Sequence, residues 1–277
     1  MPSAPRPPME NKAETDVDQG VDLDALRRRI AALERASGAG SDTTAGRAVV
    51  TLGVAEIDAH LPWGGLPQGG LHEVAFSPAP GGDAAAAGFA AAMLARLAGN
   101  ESRAVVWCRR PARGFRPGLY GAGLARFGLD PAHLLLAQAR DSQAVLWSME
   151  ECLRSRAVAA VLGEPDRADL TARRRLQLAA EDNGVAALLL LDAGTAESPG
   201  PALTRWRVTG APAPPGRSAW RVELLKCRDG GRPGAWTLEW RHEDGFDTEN
   251  GDAAGRFRLA APLRHGPDGK SARRRAG

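Results

Sequence analysis

A short apolar run, a loop of proline and glycine, and an alanine-rich stretch follow one another between Leu71 and Ala98. No other part of the chain constrains the fold as much. Leu71–Phe76 (LHEVAF) reads as a buried strand, Ser77–Gly82 as a turn and Asp83–Ala98 (DAAAAGFAAAMLARLA) as a helix. A strand that opens through a glycine loop into a helix N-terminus is the frame of a phosphate site, because first-turn amides and the helix dipole face the loop. The working motif, G-x-x-x-x-G-K-[ST], adds a lysine for the phosphates and a hydroxyl for the metal. Here Gly82 stands at the lysine position and Asp83 at the hydroxyl position. A carboxylate there repels a triphosphate. Gly81 and Gly82 still leave backbone amides able to take an anion weakly.

The segments on either side repeat the same grammar. Ala48–Leu52, Ala104–Cys108, His133–Ala137, Val158–Leu162 and Val185–Asp192 read as short apolar strands. Helices are expected at Gly118–Phe127, Gln143–Arg154 (capped by Asp141 or Ser142) and Thr171–Glu181, the last closing at Asn183-Gly184. Apolar strands alternating with helices predict an α/β fold with a mainly parallel sheet covered on both faces. Beyond Gly194 the period changes to two: Leu203–Val208, Trp220–Leu225 and Ala235–Trp240 predict antiparallel edge strands with one dry and one wet face.

Three regions follow. Residues 1–46 read as a disordered tail carrying a short amphipathic helix, Asp22–Ala36, and a Gly/Ser linker. That helix is equally well read as a docking peptide or as a helix packed on the surface. Residues 47–245 form the domain, and 246–277 a basic flexible tail ending in Arg273, Arg274 and Arg275. With 277 residues and 43% hydrophobic content the chain can bury a sizeable core, while a formal net charge of +3 does not mark a nucleic-acid binder. No apolar run approaches the ~20 residues of a membrane span. The N-terminus lacks an apolar signal region, so a cytoplasmic protein is expected. Cys108, Cys152 and Cys227 have no metal-like spacing and read as reduced thiols, and His72 and Glu73 read as strand residues rather than metal ligands. No metal or cofactor is expected.

Two basic clusters stand out. Arg109, Arg110, Arg113 and Arg116 lie in a Gly/Pro loop, and Arg173, Arg174 and Arg175 on a helix. Each is read either as a solvated surface or as a contact for DNA phosphates or an acidic partner, and the tail arginines likewise. Of the seven tryptophans, Trp63 in its Gly/Pro loop is the expected exposed anchor, and the others are expected in the core.

The order of these segments resembles the RecA/RadA core, with Gly64-Gly65-Leu66-Pro67-Gln68-Gly69 leading into Leu71–Val74. It is more closely similar to the ImuA family of RecA-like accessory proteins. The residues that carry this are Leu61–Val74 (LPWGGLPQGGLHEV), Gly128–Leu136 (GLDPAHLLL), Leu146–Arg156, Asp169–Ala180 and Ala219–Arg228 (AWRVELLKCR). The resemblance covers about residues 47–245. A RecA-type enzyme carries a catalytic glutamate after the strand matching Ala104–Cys108, where this chain has Arg110. It carries an aspartate at the end of the strand matching Val158–Leu162, where this chain has Gly163, with Glu164 one residue on as a substitute. The resemblance therefore implies a pseudo-ATPase acting as an adaptor in SOS mutagenesis. It would bridge an ImuB-like Y-family protein and an error-prone C-family polymerase, with RecA as a further contact and DNA bound weakly. A divergent ATP-dependent recombinase or regulator, and a SulA-like cell-division inhibitor, are the alternatives.

Overall fold

The computed structural model describes residues 23–37, 48–77, 81–99, 103–111, 119–194, 198–241 and 256–260. In chain order these form α1 (Leu23–Ser37), β1 (Val49–Val50), α2 (Ala55–Asp58), β2 (Leu66–Pro67), β3 (Gly70–Phe76), α3 (Gly82–Ala98) and β4 (Ala104–Arg109). There follow α4 (Gly121–Ala125), β5 (Leu134–Gln138), α5 (Ser142–Leu153), β6 (Val158–Glu164), α6 (Leu170–Asn183) and β7 (Ala186–Asp192). The last elements are β8 (Thr204–Gly210), β9 (Ser218–Cys227), β10 (Gly234–Arg241) and β11 (Arg256–Leu259).

Nine strands make one sheet in the order β11-β10-β9-β8-β3-β7-β6-β4-β5. From β8 to β5 every neighbouring pair is parallel. From β8 to β11 every pair is antiparallel. This is the expected mixed α/β sheet, RecA-like in character, with its antiparallel part at one edge. One boundary differs. The segment read as the first antiparallel edge strand is β8, and it runs parallel to β3, with His72 opposite Thr204 and Phe76 opposite Val208. The chain returns across the sheet between β7 and β8 without a long helix, and that return sets β8 in the same direction as its neighbour.

The strand that feeds the glycine loop, β3, lies inside the sheet between β7 and β8. It is buried along nearly its whole length, so even its polar residues must be satisfied internally. The buried His72 ring does this through two contacts, Nδ1 with Thr204 Oγ1 at 2.8 Å and Nε2 with Pro67 O at 3.0 Å. A carbonyl only accepts, so Nε2 carries the proton and Nδ1 accepts from the Thr204 hydroxyl. That hydroxyl in turn accepts from Trp206 Nε1 at 2.8 Å. The network ties the Gly64–Gly69 loop to the sheet and leaves neither ring nitrogen for a metal.

On one face lies α3, whose alanines let it approach the strands closely. A Cβ at Gly88 would stand 3.2 Å from Phe127 and 3.4 Å from Trp220. Phe89 packs on Trp206, Trp220 and Phe257, and Trp240 meets Phe257 edge-on with centroids 4.9 Å apart. This aromatic cluster seats β9, β10 and β11 against α3. Because β11 belongs to it, the sheet continues into the span read as a basic tail.

The other face is covered by α5 and α6. Asp141 caps α5 by accepting from Ala144 N, and Asp169 caps α6 by accepting from Ala172 N, both as Asx residues at an N-cap do. Gly184 closes α6 in the left-handed region (φ 68°). Ile30 of α1 is buried in the core cluster on this face, and Arg27 pairs with Glu151 of α5 at 3.0 Å. Of the two readings of the N-terminal helix, surface packing is the one observed. The linker residues 38–47 lie outside the described residues. Among the described residues no helix is long and apolar enough to cross a membrane.

Candidate functional site

Ligands of open α/β sheets bind beyond the carboxyl ends of the parallel strands. A cavity of about 640 Å³ lies there, beside the first turn of α3. Phe76 of β3, Leu124 of α4, Phe127 and Leu190 of β7 contribute apolar walls. Among the described residues its charged lining is Asp83, Glu164, Asp166 and Asp192 against Arg109.

The loop itself is closed at the position where a phosphate-binding lysine would stand. A Cβ built at Gly82 would meet the Ser77 carbonyl oxygen at 2.1 Å, so no side chain fits there without moving the backbone. Gly81 is in the left-handed region (φ 77°), which favours glycine. Asp83 sits in the first turn of α3 and accepts from Ala84 N at 2.8 Å. A protein carboxylate thus occupies the positive end of the helix, where a phosphate would otherwise benefit. At an effective dielectric of about 20, a carboxylate about 4 Å from one phosphate charge costs about 4 kcal/mol. Among the described residues, Gly82 and Asp83 stand where the loop would need a lysine for a triphosphate and a hydroxyl for its magnesium ion. Among the described residues no group of three His, Cys, Asp or Glu side chains is placed to hold a metal.

Glu164 requires a correction. The expected strand ended at Leu162, with Gly163 at the aspartate position. The strand continues to Glu164, and alternation puts Gly163 on the opposite face from the cavity. A Cβ on Gly163 would meet Met149 of α5, 2.1 Å from its sulfur. Glu164 is the residue that reaches the cavity. Its carboxylate is already engaged, accepting from Trp107 Nε1 at 2.7 Å and lying 3.6 Å from Arg109 Nη2.

The arginine clusters separate. Arg109 is not a loop residue but the buried last residue of β4, paired with Glu164. Arg110 is partly exposed and pairs with Asp166. Arg113, Arg116, Arg273, Arg274 and Arg275 lie outside the described residues. On α6, Arg174 and Arg175 are exposed and Arg175 pairs with Glu150 of α5. Arg173 points inward, its side chain 2% exposed, and pairs with Glu73 instead of presenting its charge at the surface.

Arg173 leads to a feature the sequence did not announce. Glu73 on β3 is fully buried and held by two arginines, Arg173 Nη1 at 3.4 Å and Arg205 Nε at 2.7 Å. Arg173 also donates to Ser198 Oγ at 2.6 Å and to the Pro199 carbonyl at 3.3 Å. Arg205 Nη2 is buried and finds no acceptor among the described residues. Burial first, then the neighbouring Arg205, hold the Lys226 ammonium below its ordinary pKa, with Arg228 and Arg173 adding and Glu73 opposing. The signal was a glutamate within an apolar strand. A charge there must be paired, and its partners came from α6 and β8.

Trp147 of α5 is the second missed residue. It is 53% exposed, whereas Trp63 is only partly exposed. All three cysteines are free; Cys108 and Cys152 are buried as a core thiol would be, whereas Cys227 is only half-buried.

Two curated relatives bear on identity. Protein ImuA of Caulobacter vibrioides strain NA1000 / CB15N is 36% identical over 237 residues, spanning 78% of this chain and 90% of its own length. The chain belongs to the ImuA family. The ImuA of Caulobacter vibrioides strain ATCC 19089 / CIP 103742 / CB 15 matches with the same identity and coverage. No protein-family model matches the chain. Family membership agrees with the RecA-like sheet, with β3 at its centre and the ImuA-like segments Leu61–Val74 and Ala219–Arg228 lying on β2, β3 and β9.

Proposed function

We propose that this chain is a non-catalytic, RecA-like adaptor of damage-induced translesion DNA synthesis. It bridges an ImuB-like Y-family protein and an error-prone C-family polymerase in the cytoplasm, with RecA and DNA as weaker contacts. Membership of the ImuA family supports the setting. One observation carries the absence of chemistry: the Ser77 carbonyl fills the space a lysine at Gly82 would need. Phosphoryl transfer rests on positioning, magnesium and neutralised charge. Among the described residues the cavity instead offers Asp83, Glu164, Asp166 and Asp192, with Arg109 already paired to Glu164.

Glu164 gives the ATP-dependent alternative its one support, because it lies on the cavity side of the sheet end. Its bonds to Trp107 and Arg109 argue for a structural duty instead. The test is co-purification of the intact chain with an ImuB-like protein and with RecA, combined with an ATPase assay. Capture of the ImuB-like protein with no ATP turnover supports the proposal. Capture of neither protein, or turnover lost in Glu164→Gln, defeats it.

A further inference from the structure

The wet face of the antiparallel strands carries a surplus of arginine. Alternation along β8, β9, β10 and β11 turns Trp206, Val222, Leu238 and Phe257 into the core beneath α3. It leaves Arg207, Arg221, Arg241, Arg256 and Arg258 on the opposite face, with Glu223 and Glu239. Arg217, just before β9, joins this face through Glu239 at 3.5 Å. Arg205 and Lys226 are committed elsewhere, to Glu73 and to the Gly200 carbonyl. Neither glutamate is spare. Glu223 binds both Arg207, at 3.2 Å, and Arg221, at 3.1 Å, and Glu239 binds Arg217. The arginines of these pairs are 38 to 59% exposed and the glutamates 28% and 18%, so the cations stand outermost.

The register concentrates the surplus toward β11. Arg241 lies directly opposite Arg256, and like charges directly opposite one another destabilise a sheet. Among the described residues Arg241 and Arg258 are exposed and form no ion pair. From Arg207 to Arg258 the face crosses three strand spacings and four residues, about 20 Å. Over that length a nucleic-acid duplex carries on the order of ten phosphate charges. The exposed aromatic rings among the described residues, Tyr120 and Trp147, belong to the start of α4 and to α5. A basic face without a ring for base stacking reads charge and not sequence.

We propose that this sheet face binds the phosphate backbone of duplex DNA, with Arg221, Arg241 and Arg258 as the contacts. A phosphate set between Arg241 and Arg256 relieves the repulsion built into that pair. The proposal rests on the reading that this chain works at DNA. It gives that contact a surface on the side of the sheet away from α3 and its nucleotide loop.

The test uses the full chain, so the acidic run from Glu243 to Asp252, which lies outside the described residues, is present in every measurement. A fluorescent duplex oligonucleotide is titrated by anisotropy between about 50 and about 200 mM salt. Combining Arg221→Ala, Arg241→Ala and Arg258→Ala removes three phosphate contacts. The slope of log K against log salt should become shallower by about 2.7, and binding at about 0.1 M should weaken at least tenfold. Arg174→Ala, on the exposed side of α6, should change neither. Circular dichroism checks that each variant is folded. Arg241→Glu sets a carboxylate opposite Arg256, so it should lose binding while keeping its thermal midpoint. No binding by the unaltered chain, or an unchanged slope in the triple variant, would overturn the proposal. So would a single-stranded thymidine oligonucleotide that binds more tightly than the duplex. Polyglutamate that displaces the duplex as well as unlabelled duplex does would assign the face to an acidic protein instead. Capture of the ImuB-like protein is read on the same chains. Duplex binding lost with capture intact separates this surface from the adaptor role, and capture failing while the duplex still binds defeats the adaptor role alone.

Discussion

Replacing Glu73 with leucine should be among the most damaging single changes available in this chain. Its side chain is 0% exposed, and the two guanidiniums it holds are 2% and 7% exposed. The losses are unequal. Arg173 keeps Ser198 Oγ and the Pro199 carbonyl, whereas Arg205 loses the single acceptor of its Nε and already has an unpartnered Nη2. Leaving a buried charge without its partner costs about 3–5 kcal/mol. At about 2–4 °C per kcal/mol for a domain of this size, the midpoint of thermal unfolding should drop by roughly 6–20 °C. Urea unfolding followed by circular dichroism measures the same quantity with an unchanged slope. Most of the penalty belongs to Arg205, so adding Arg205→Met to Glu73→Leu should recover about half of it or more, because an apolar replacement of a buried pair is close to neutral. A single-mutant cost under about 1 kcal/mol, or a double mutant no more stable than the single, would refute this reasoning.

Gly163→Asp restores by sequence the aspartate of a RecA-type enzyme but places it against Met149. It should destabilise the fold by about 3 kcal/mol or more and give no ATP turnover, as read by urea unfolding and phosphate release. Gly82→Lys should likewise fail to create nucleotide binding in a fluorescent-ATP titration, because the Ser77 carbonyl stands in its way. Burial, helped by Asp229, pushes the Cys227 thiol up to about 11. Its alkylation by iodoacetamide should therefore stay slow at pH 8 and rise only as pH approaches 11. The raised value also means that the neutral thiol is favoured in the folded state. Its contribution to stability is present below the ordinary thiol range and is lost as pH rises through about 11, a loss that Cys227→Ala should remove.

The segments that follow local rules were legible from sequence. β6 and β7 carry the unbroken apolar runs Val158–Leu162 and Ala186–Leu191, and the caps of α5 and α6 are Asp141 and Asp169. What the sequence hid depends on long-range pairing. The alternation of Trp206 and Val208 with Arg205 and Arg207 fits a half-wet strand, yet Glu73, 132 residues away, draws Arg205 into the core. The same glutamate draws Arg173 inward from a run of three arginines. Phe257 sits in a short strand among polar residues, and only its contacts with Trp220, Trp240 and Phe89 make it core. Trp147 shares a helix with the buried Met149 and Leu153, and its exposure depends on how α5 and α6 are set apart. At the nucleotide loop the missing lysine was visible in sequence. The face occupied by Gly163 was not, because it turned on whether β6 ended at Leu162 or at Glu164.

The claim that most needs testing is that this RecA-like sheet no longer handles ATP. Isothermal titration of magnesium–ATP into the intact chain addresses it directly. The account predicts no saturable heat up to about 1 mM nucleotide, a binding energy of only about 4 kcal/mol or less. Saturable binding below that concentration, weakened by Glu164→Gln, would contradict it.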